Sequence, residues 1–248
     1  MPTSSLKFHT VEIEETKTLG RYVLLRYRWN GPAEPGQFVM ARAAGHPATF
    51  APFLARPFSF CDFDGEIASL LFEVRGRGTE LLAEAEDRIE VSAPLGKGFR
   101  VNGKAGRTGL LGGGVGVAPF KFLSRRLEER GIEHDIALGF ADESFAGVAE
   151  DFPGARISTM DGSLGVSGTV LDAVGDLSKY SAIYACGPNA MLAAVKGAAR
   201  GIELCQLSVE ERMGCGNGSC NGCVVPTKKG YVRSCIEGPV FDAEVLAW

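Results

Sequence analysis

The amino-acid sequence predicts an N-terminal antiparallel β-barrel, then a parallel α/β domain, and last a small lobe that holds a metal cluster. Three observations support this fold class. Short strand-like runs separated by glycine, proline and aspartate fill roughly the first 100 residues, which is typical of a barrel. Strand-like and helix-like segments then alternate, as they do around a parallel sheet. Four of the seven cysteines crowd into the C-terminal tail.

The barrel is predicted over residues 1–103. Its strand-like runs are rich in apolar, β-branched and aromatic residues, and turn-forming residues separate them. The runs are 22–25, 37–40, 56–61, 67–74 and 88–91.

The α/β domain is predicted over residues 104–205. Its first helix carries Phe120, Leu123 and Leu127 on one face and charged residues on the other, which indicates a helix packed on a sheet. The predicted strands are 108–111, 135–140 and 181–185, and the predicted helices are 119–130 and 188–199.

Composition and charge exclude several classes of protein. The chain has 248 residues, of which 45% are hydrophobic and 23% charged, as in a soluble globular protein. The net charge is −4 and the basic residues are scattered, which argues against a nucleic-acid surface. The most apolar stretch is too short to span a membrane, and the first residues lack the basic and apolar regions of a signal peptide. We therefore expect a cytoplasmic protein.

The C-terminal segment, residues 206–248, has the cysteine spacing C-x4-C-x2-C-x11-C, formed by Cys215, Cys220, Cys223 and Cys235. The first three match the spacing of plant-type ferredoxins, whose cysteines bind a [2Fe–2S] cluster. The glycines between them suit a loop that wraps a cluster and points N–H groups at its sulfur atoms. An odd number of cysteines, tightly grouped and without a signal peptide, argues against disulfides. The pattern therefore predicts four metal ligands.

A structural zinc site is the alternative interpretation, because four thiolates also suit zinc. Zinc ribbons usually contain two C-x2-C pairs, whereas this segment has one, which favours the iron–sulfur cluster. The isolated Cys61 and Cys205 are expected to be small buried residues, as is common for a lone cysteine.

A glycine loop follows the first strand of the α/β domain and precedes its first helix. The loop contains Gly112, Gly113, Gly114 and Gly116, and Pro119 lies near the start of the helix. This context is typical of a pyrophosphate-binding loop, because glycine permits close approach of phosphate and the start of a helix offers N–H donors. A purely structural turn is the alternative.

Two later segments bear on the nucleotide. Asp142 and Glu143 follow the next strand, where an acidic residue can bind the ribose hydroxyls of NAD, whereas NADP would prefer a basic one. A solvated loop carboxylate is the alternative. The segment Cys186, Gly187, Pro188 follows another strand and by itself indicates only a turn into a helix.

Two segments of the barrel resemble flavin motifs of the ferredoxin–NADP reductase superfamily. In the first motif an arginine holds the flavin pyrophosphate and the next residues pack around the isoalloxazine ring. This motif corresponds to Arg56, Pro57, Phe58 and Ser59. The second motif is a flavin-phosphate loop, in which lysine would be commoner than the arginine found here. It corresponds to Gly76, Arg77, Gly78 and Thr79. The glycine loop and the segment at Cys186 resemble the nicotinamide motifs, which places Cys186 beside the nicotinamide.

Nearly the whole chain resembles the family of electron-transfer subunits of NAD-dependent dihydroorotate dehydrogenase. Residues 95–99 resemble that family's link between domains, and residues 208–223 and 235–241 resemble its cluster segment. The reductases of oxygenases can carry a complete ferredoxin domain, which needs more residues than follow position 205.

The resemblance implies three cofactors and a partner: FAD, NAD, a [2Fe–2S] cluster, and an FMN-containing catalytic subunit that oxidises dihydroorotate in pyrimidine biosynthesis. It implies a heterotetramer of two copies of each subunit. Electrons would cross singly from FMN through the cluster to FAD, which passes a hydride to NAD. Because hydride transfer needs no acid or base, we predict none, and we expect the cluster lobe to face the partner.

Two other functions stay open at this point. A flavin and iron–sulfur subunit of a sulfide dehydrogenase or of a flavin-based transhydrogenase would share the architecture, although some of those relatives carry Asp in place of the first cluster cysteine, Cys215 here. A non-catalytic binding protein stabilised by zinc would be colourless and would not reduce dyes with NADH.

Overall fold

The computed structural model of the chain describes residues 6–45, 53–101 and 106–248. Within these residues the chain forms a closed six-stranded barrel, a seven-stranded sheet flanked by helices, and a small lobe built around a two-stranded hairpin. This architecture confirms the predicted fold class. None of the helices in the described residues is long and apolar enough to cross a membrane.

The barrel consists of antiparallel strands around a filled apolar interior. Its strands are Phe8–Leu19 (β1), Tyr22–Arg28 (β2), Phe38–Ala43 (β3), Arg56–Phe63 (β4), Ile67–Glu73 (β5) and Arg88–Ser92 (β6). They close in the order β1-β2-β5-β4-β3-β6. Tyr27, Phe60 and Leu70 are fully buried in the interior. A short helix, Arg77–Ala83 (α1), connects β5 to β6.

The α/β domain is built on a sheet with the strand order β10-β9-β8-β7-β11-β12, all parallel. All six residues of β7 are buried, as expected for a central strand of a parallel sheet with both faces covered. The strands are Thr108–Gly113 (β7), His134–Phe140 (β8), Arg156–Thr159 (β9), Val166–Ser167 (β10), Ala182–Gly187 (β11) and Leu204–Val209 (β12). The helices are Phe120–Glu128 (α2), Val170–Val174 (α3) and Asn189–Ala198 (α4).

The lobe leaves the sheet after β12 and returns to it beside β12. It contains the hairpin Val224–Thr227 (β13) and Gly230–Arg233 (β14), and the helical turn Ser234–Glu237 (α5). The chain then forms Val240–Asp242 (β15), which pairs antiparallel with β12 as the seventh strand of the sheet. We call residues 210–239 the cluster segment. The boundary expected between residues 205 and 206 thus falls inside β12, because the sheet continues to residue 209.

Several contacts join the barrel to the α/β domain. Helix α2 lies against β4, where Nη2 of Arg125 is 2.6 Å from Oδ1 of Asp62. The turn between β1 and β2 lies against the 3₁₀ helix Glu143–Asp151, and a Cβ on Gly147 would be only 2.6 Å from the backbone N of Gly20. These contacts help to hold the two units together.

The expected strands and helices all occur, with ends shifted by a few residues. Strand β1, helices α1 and α3, strands β9 and β10, and the elements from β12 to β15 were missed. Cys61 is buried as expected. Cys205 is only partly buried, which corrects the expectation. The reason is that Cys205 lies one residue before the part of β12 that β15 covers.

Candidate functional site

A cleft of about 460 Å³, which we call the central cleft, lies where the barrel, the α/β domain and the lobe meet. Its volume is in the range of small-molecule sites. All eight residues of the two predicted flavin segments line it, four from β4 and four from the start of α1. Val115 of the α/β domain and Met213 and Pro239 of the lobe complete its walls. The structure therefore brings the predicted flavin residues together.

Three arginines, Arg56, Arg75 and Arg77, line the central cleft. Arg56 lies directly against Gly78, because a Cβ on Gly78 would be 2.7 Å from Nε of Arg56. Arg77 begins α1 and is more than half exposed. The hydroxyl of Thr79 accepts a hydrogen bond from the N–H of Gly76 at 3.2 Å and fixes the turn before the helix. Guanidinium groups in this position suit the pyrophosphate of a dinucleotide.

The two predicted nicotinamide segments meet at the carboxyl ends of β7 and β11, which are neighbours in the sheet. The chain continues from β7 to β8 on one side while β11 lies on the other, so this is the switch point where α/β sheets bind ligands. A Cβ on Gly116 would be 2.5 Å from the carbonyl oxygen of Cys186, and one on Gly113 would be 3.2 Å from the ring of Pro188. Gly114 has φ +56°. The segments pack so closely that glycine is required.

Three polar side chains lie between the central cleft and the switch point. Burial raises the pKa of the Cys186 thiol far above its usual range, so this thiol is neutral at physiological pH. Desolvation raises the pKa of Glu210, at the end of β12, and the guanidinium of Arg75 opposes that rise. Tyr22 is buried, and its hydroxyl would be 3.9 Å from a Cβ on Gly114. A neutral thiol can line a nicotinamide pocket but is a poor nucleophile.

The four predicted ligand cysteines lie in two pairs. Cys220 lies close enough to Cys215, and Cys223 close enough to Cys235, to affect the pKa of its neighbour. Cys220 is exposed, whereas both members of the second pair are buried. Among the described residues no three His, Cys, Asp or Glu side chains converge on a position for one metal ion. A [2Fe–2S] cluster has two iron atoms, each held by two thiolates, so two neighbouring pairs fit it.

Backbone N–H groups surround the exposed pair. The N–H of Cys220 donates to Sγ of Cys215, and the N–H of Gly222 donates to Sγ of Cys220, both at 3.4 Å. Burial works against ionisation of Cys215, but the N–H groups of Cys220, Asn217 and Ser219 outweigh it and lower its pKa to about 7. The loop thus stabilises a thiolate, which is the form that binds metal.

Two apolar side chains link the surroundings of the buried cysteines to the central cleft. Phe38 lines the cleft and packs in the same buried cluster as Cys223 and Cys235. Met213 lines the cleft and packs against that cluster as well. Because electron tunnelling falls steeply with distance, apolar side chains shared by the two regions suit transfer between two redox groups.

Acidic residues stand at the carboxyl ends of β8 and β9. Oδ1 of Asp142 accepts a hydrogen bond from the N–H of Ser144 at 2.8 Å and so caps the 3₁₀ helix that follows. The N–H of Glu143 donates to Oγ of Ser163 at 2.8 Å, and that hydroxyl donates to Oδ1 of Asp161 at 2.7 Å. Asp142 therefore has a local structural role, and the surface around it disfavours a 2′-phosphate.

Sequence reasoning missed four side chains of this region. Glu210 and Met213 lie within the segment that resembles the family's cluster motif. Their nearness to the cysteines in the sequence could therefore have identified them as candidate site residues. Tyr22 and Phe38 lie far from the cysteines along the chain, and the folded barrel places Phe38 in the lining of the cleft and Tyr22 near Gly114. No local pattern could have identified them.

Comparisons with known proteins agree on one group of relatives. The family model described as the iron–sulfur cluster binding domain of dihydroorotate dehydrogenase B matches residues 210–247. The dihydroorotate dehydrogenase B (NAD(+)) electron transfer subunit of Caldanaerobacter subterraneus subsp. tengcongensis is 37% identical over 233 residues, covering 89% of this chain and 90% of that protein. The subunit of the same name from Bacillus velezensis is 39% identical over 227 residues, covering 86% and 87%.

Solved structures share the fold. The NADH-dependent reduced ferredoxin–NADP oxidoreductase, studied for flavin-based electron bifurcation, aligns with a TM-score of 0.83 at 24% identity, covering all of this chain and 92% of that one. Phthalate dioxygenase reductase aligns with a TM-score of 0.64 at 15% identity, covering 92% and 94%. At these identities the likeness concerns the arrangement of the barrel, the sheet and the lobe.

Proposed function

The chain belongs to the family of electron transfer subunits of dihydroorotate dehydrogenase B (NAD(+)), and from this premise we propose that it relays electrons from the FMN of a catalytic partner through a [2Fe–2S] cluster and FAD to NAD. The observation that carries the proposal is that Phe38 and Met213 belong both to the lining of the central cleft and to the apolar cluster around Cys223 and Cys235. This arrangement supports a metal site next to a flavin site in one chain.

The residues of the central cleft fit FAD. Arg56 and Arg77 would hold its pyrophosphate, and the close approach of Arg56 to Gly78 leaves no room for a side chain there. Pro57, Phe58 and Ser59 would lie along the isoalloxazine ring. When bound, a flavin takes electrons singly and gives them up as a hydride, which links a one-electron cluster to a two-electron nicotinamide.

The glycine loop and the segment at Cys186 would bind NAD at the switch point. The protein's task there is to position the nucleotide and exclude water, since the hydride passes between two rings without an acid or base. Cys186 is neutral and buried, which suits a wall of the nicotinamide pocket. The acidic surface at Asp142, Glu143 and Asp161 supports NAD over NADP.

The catalytic partner would dock over the exposed cysteine pair. Phe53 and Leu54 are 71% and 48% exposed and line the same hollow as Cys215. Ile236, on α5, is exposed as well and contacts Gly218 of the cysteine loop. Apolar side chains around a redox centre suit a protein interface. The heterotetramer and the cytoplasmic location expected from the sequence stay predictions.

The first experiment is a visible absorption spectrum of the anaerobically purified chain before and after addition of NADH. We expect flavin bands with a broad iron–sulfur shoulder, both bleached by NADH. A chain that stays colourless after reconstitution with FAD, iron and sulfide would contradict the proposal.

Two cysteine variants separate the cluster from the flavin. Cys223→Ser removes a ligand from the buried pair, so the shoulder and the bound iron should be lost while the flavin bands remain. Cys205→Ser is the matched control, because Cys205 lies outside the four-cysteine group, and it should keep both signals. Equal loss of iron in the two variants would argue against the assigned ligands.

A further inference from the structure

Arg233 joins the two parts of the lobe that carry the cysteines. Its Nη1 donates to the carbonyl oxygen of Gly218, in the loop between Cys215 and Cys220, at 3.2 Å. Arg233 also precedes α5, which carries Cys235. Its side chain therefore ties the loop of the exposed pair to the helical turn of the buried pair.

Glu237 holds this guanidinium in place from the other end of α5. Its Oε1 accepts a hydrogen bond from Nη2 of Arg233 at 2.8 Å, and its Oε2 accepts one from the backbone N–H of Arg233 at 2.7 Å. The two side chains are 38% and 32% exposed. Ion pairs with this degree of exposure add little to folding stability. Stability alone therefore does not account for the number of hydrogen bonds that this pair makes.

The packing around Gly218 brings the arginine close to the cysteine loop. Gly218 has φ +82°, and a Cβ there would be 2.8 Å from Cγ1 of Ile236 and 3.2 Å from Nη1 of Arg233. Any larger residue at this position would push the charged group away. The close contact between the Arg233 guanidinium and the cysteine loop therefore depends on the glycine at position 218.

Direct contact between the guanidinium and the carboxylate, at 2.8 Å, favours the charged form of both side chains. Arg233 lies two residues before Cys235, and its hydrogen bond to the carbonyl oxygen of Gly218 brings the guanidinium to the loop between Cys215 and Cys220. The pair therefore lies within electrostatic reach of the ligands.

A [2Fe–2S] cluster on four thiolates is an anion that gains a further negative charge when it is reduced. Nearby charges and hydrogen bonds therefore shift its reduction potential. A cation favours the reduced form and an anion disfavours it, each more strongly at shorter distance.

We propose that Arg233 and Glu237 are positioning residues that set the reduction potential of the cluster, the guanidinium raising it and the carboxylate lowering it. This inference rests on the proposed function, in which the four cysteines hold a [2Fe–2S] cluster. The pair would adjust the driving force between the partner and the flavin without touching either.

The test is a redox titration of the cluster in the full chain loaded with FAD and cluster. Electron paramagnetic resonance measures the fraction of reduced cluster at each potential. Arg233→Gln should make the potential more negative and Glu237→Gln more positive. Each shift should amount to at most about a tenfold change in the reduction equilibrium, or about 59 mV for one electron. Arg233→Lys keeps the charge and should lie between Arg233→Gln and the unchanged protein.

Shifts of the reduction potential in opposite directions for Arg233→Gln and Glu237→Gln are the decisive result. Loss of packing alone would loosen the same contact in both variants and would shift both potentials in the same direction. As matched controls, Arg126→Gln and Glu129→Gln alter an ion pair of 3.0 Å and similar exposure on α2, and should leave the potential unchanged. Shifts of one sign, or none, would overturn the inference. If Arg233→Gln does not retain the cluster, the inference is still tested by the other two variants. Glu237→Gln should have a more positive potential than the unaltered protein, and Arg233→Lys a more negative one. An unaltered chain that takes up no iron and sulfide would instead overturn the proposed function.

Discussion

Gly116 is the point at which the two nicotinamide segments approach most closely. A Cβ there would be 2.5 Å from the carbonyl oxygen of Cys186, which is backbone and cannot move aside. We predict that Gly116→Ala weakens NADH binding about tenfold or more, equivalent to about 1.4 kcal/mol. Titration of the oxidised protein with a non-reducing NADH analogue measures this. Normal flavin and iron–sulfur spectra in the variant serve as the control, and unchanged affinity would contradict the assignment of the switch point.

Asp135 gives a prediction about pH. Burial opposes its ionisation, but hydrogen bonds from the hydroxyl of Tyr180, at 2.8 Å, and from Arg107, at 2.6 Å, outweigh burial and lower its pKa. A lowered folded pKa means that the ionised carboxylate stabilises the fold above the unfolded pKa of about 3.9, and that this stability is lost as pH falls through the lower folded value.

We therefore expect Asp135→Asn to reduce the free energy of unfolding by about 1–3 kcal/mol at pH 7, with a smaller difference below pH of about 4. Urea denaturation at several pH values measures both quantities. Tyr180→Phe is the control, since it removes one donor and leaves the carboxylate and Arg107. The free energy of unfolding of this variant should therefore keep part of the pH dependence of the unaltered protein. A difference between Asp135→Asn and the unaltered protein that is the same at pH 7 and pH 3 would show that the carboxylate is not the source.

At the residue scale, the sequence singled out the candidate residues that sit in compact motifs, and the roles of those residues stay predictions. Spacing alone singled out Cys215 and its three partners, and the glycine loop was readable from its place between a strand and a helix. Glu210, Phe38 and Arg233 were not predicted, because their roles depend on what the folded chain brings next to them.

At the scale of the elements, the contact between the β1–β2 turn and the 3₁₀ helix Glu143–Asp151 leads to a prediction about stability. A Cβ on Gly147 would be 2.6 Å from the backbone N of Gly20, so Gly147→Ala must push the barrel and the α/β domain apart. We predict a loss of about 1–3 kcal/mol in the free energy of unfolding. Gly197→Ala on α4 has open space around the new methyl group and should be neutral or stabilise by up to about 1 kcal/mol. Equal behaviour of the two variants in chemical denaturation would contradict the contact.

The elements that sequence reasoning missed share physical causes. Strand β1 has mostly exposed residues and a register shift between Ile13 and Glu15, so its apolar residues do not alternate cleanly. Strand β15 has three residues, and its pairing with β12 spans the whole cluster segment. Helix α1 begins inside the expected flavin-phosphate loop, where the turn residues hid the helix. By contrast, the buried central strand β7 and the amphipathic helix α2 were strong local signals.

At the scale of the whole molecule, the exposed apolar side chains around the cysteine loop lead to a prediction about assembly. Phe53→Glu places a charge on the proposed docking face and should weaken binding of the catalytic partner about tenfold or more. Electron transfer from NADH to a small dye should be unaffected, because it does not need the partner. Val166→Glu is the matched control, since Val166 is also exposed but lies on β10, at the opposite edge of the sheet from the lobe. Equal weakening by both variants, or by neither, would remove support for this face.

The order of the three units could be predicted from the sequence, but their meeting at one cleft could not. The walls of the central cleft come from β4, the start of α1, the glycine loop and both ends of the cluster segment. Only the folded chain places Met213 and Pro239 opposite Phe58, because that proximity results from packing between units rather than from any local pattern.

The chain leaves and rejoins the sheet at one edge, which fixes the cluster segment from both sides. Ser208 lies opposite Val240, so the segment starts and ends at neighbouring positions on β12 and β15. The two ends of the segment therefore cannot move apart unless this outermost pair of strands opens, and the lobe is tethered to the α/β domain by backbone hydrogen bonds as well as by side-chain packing.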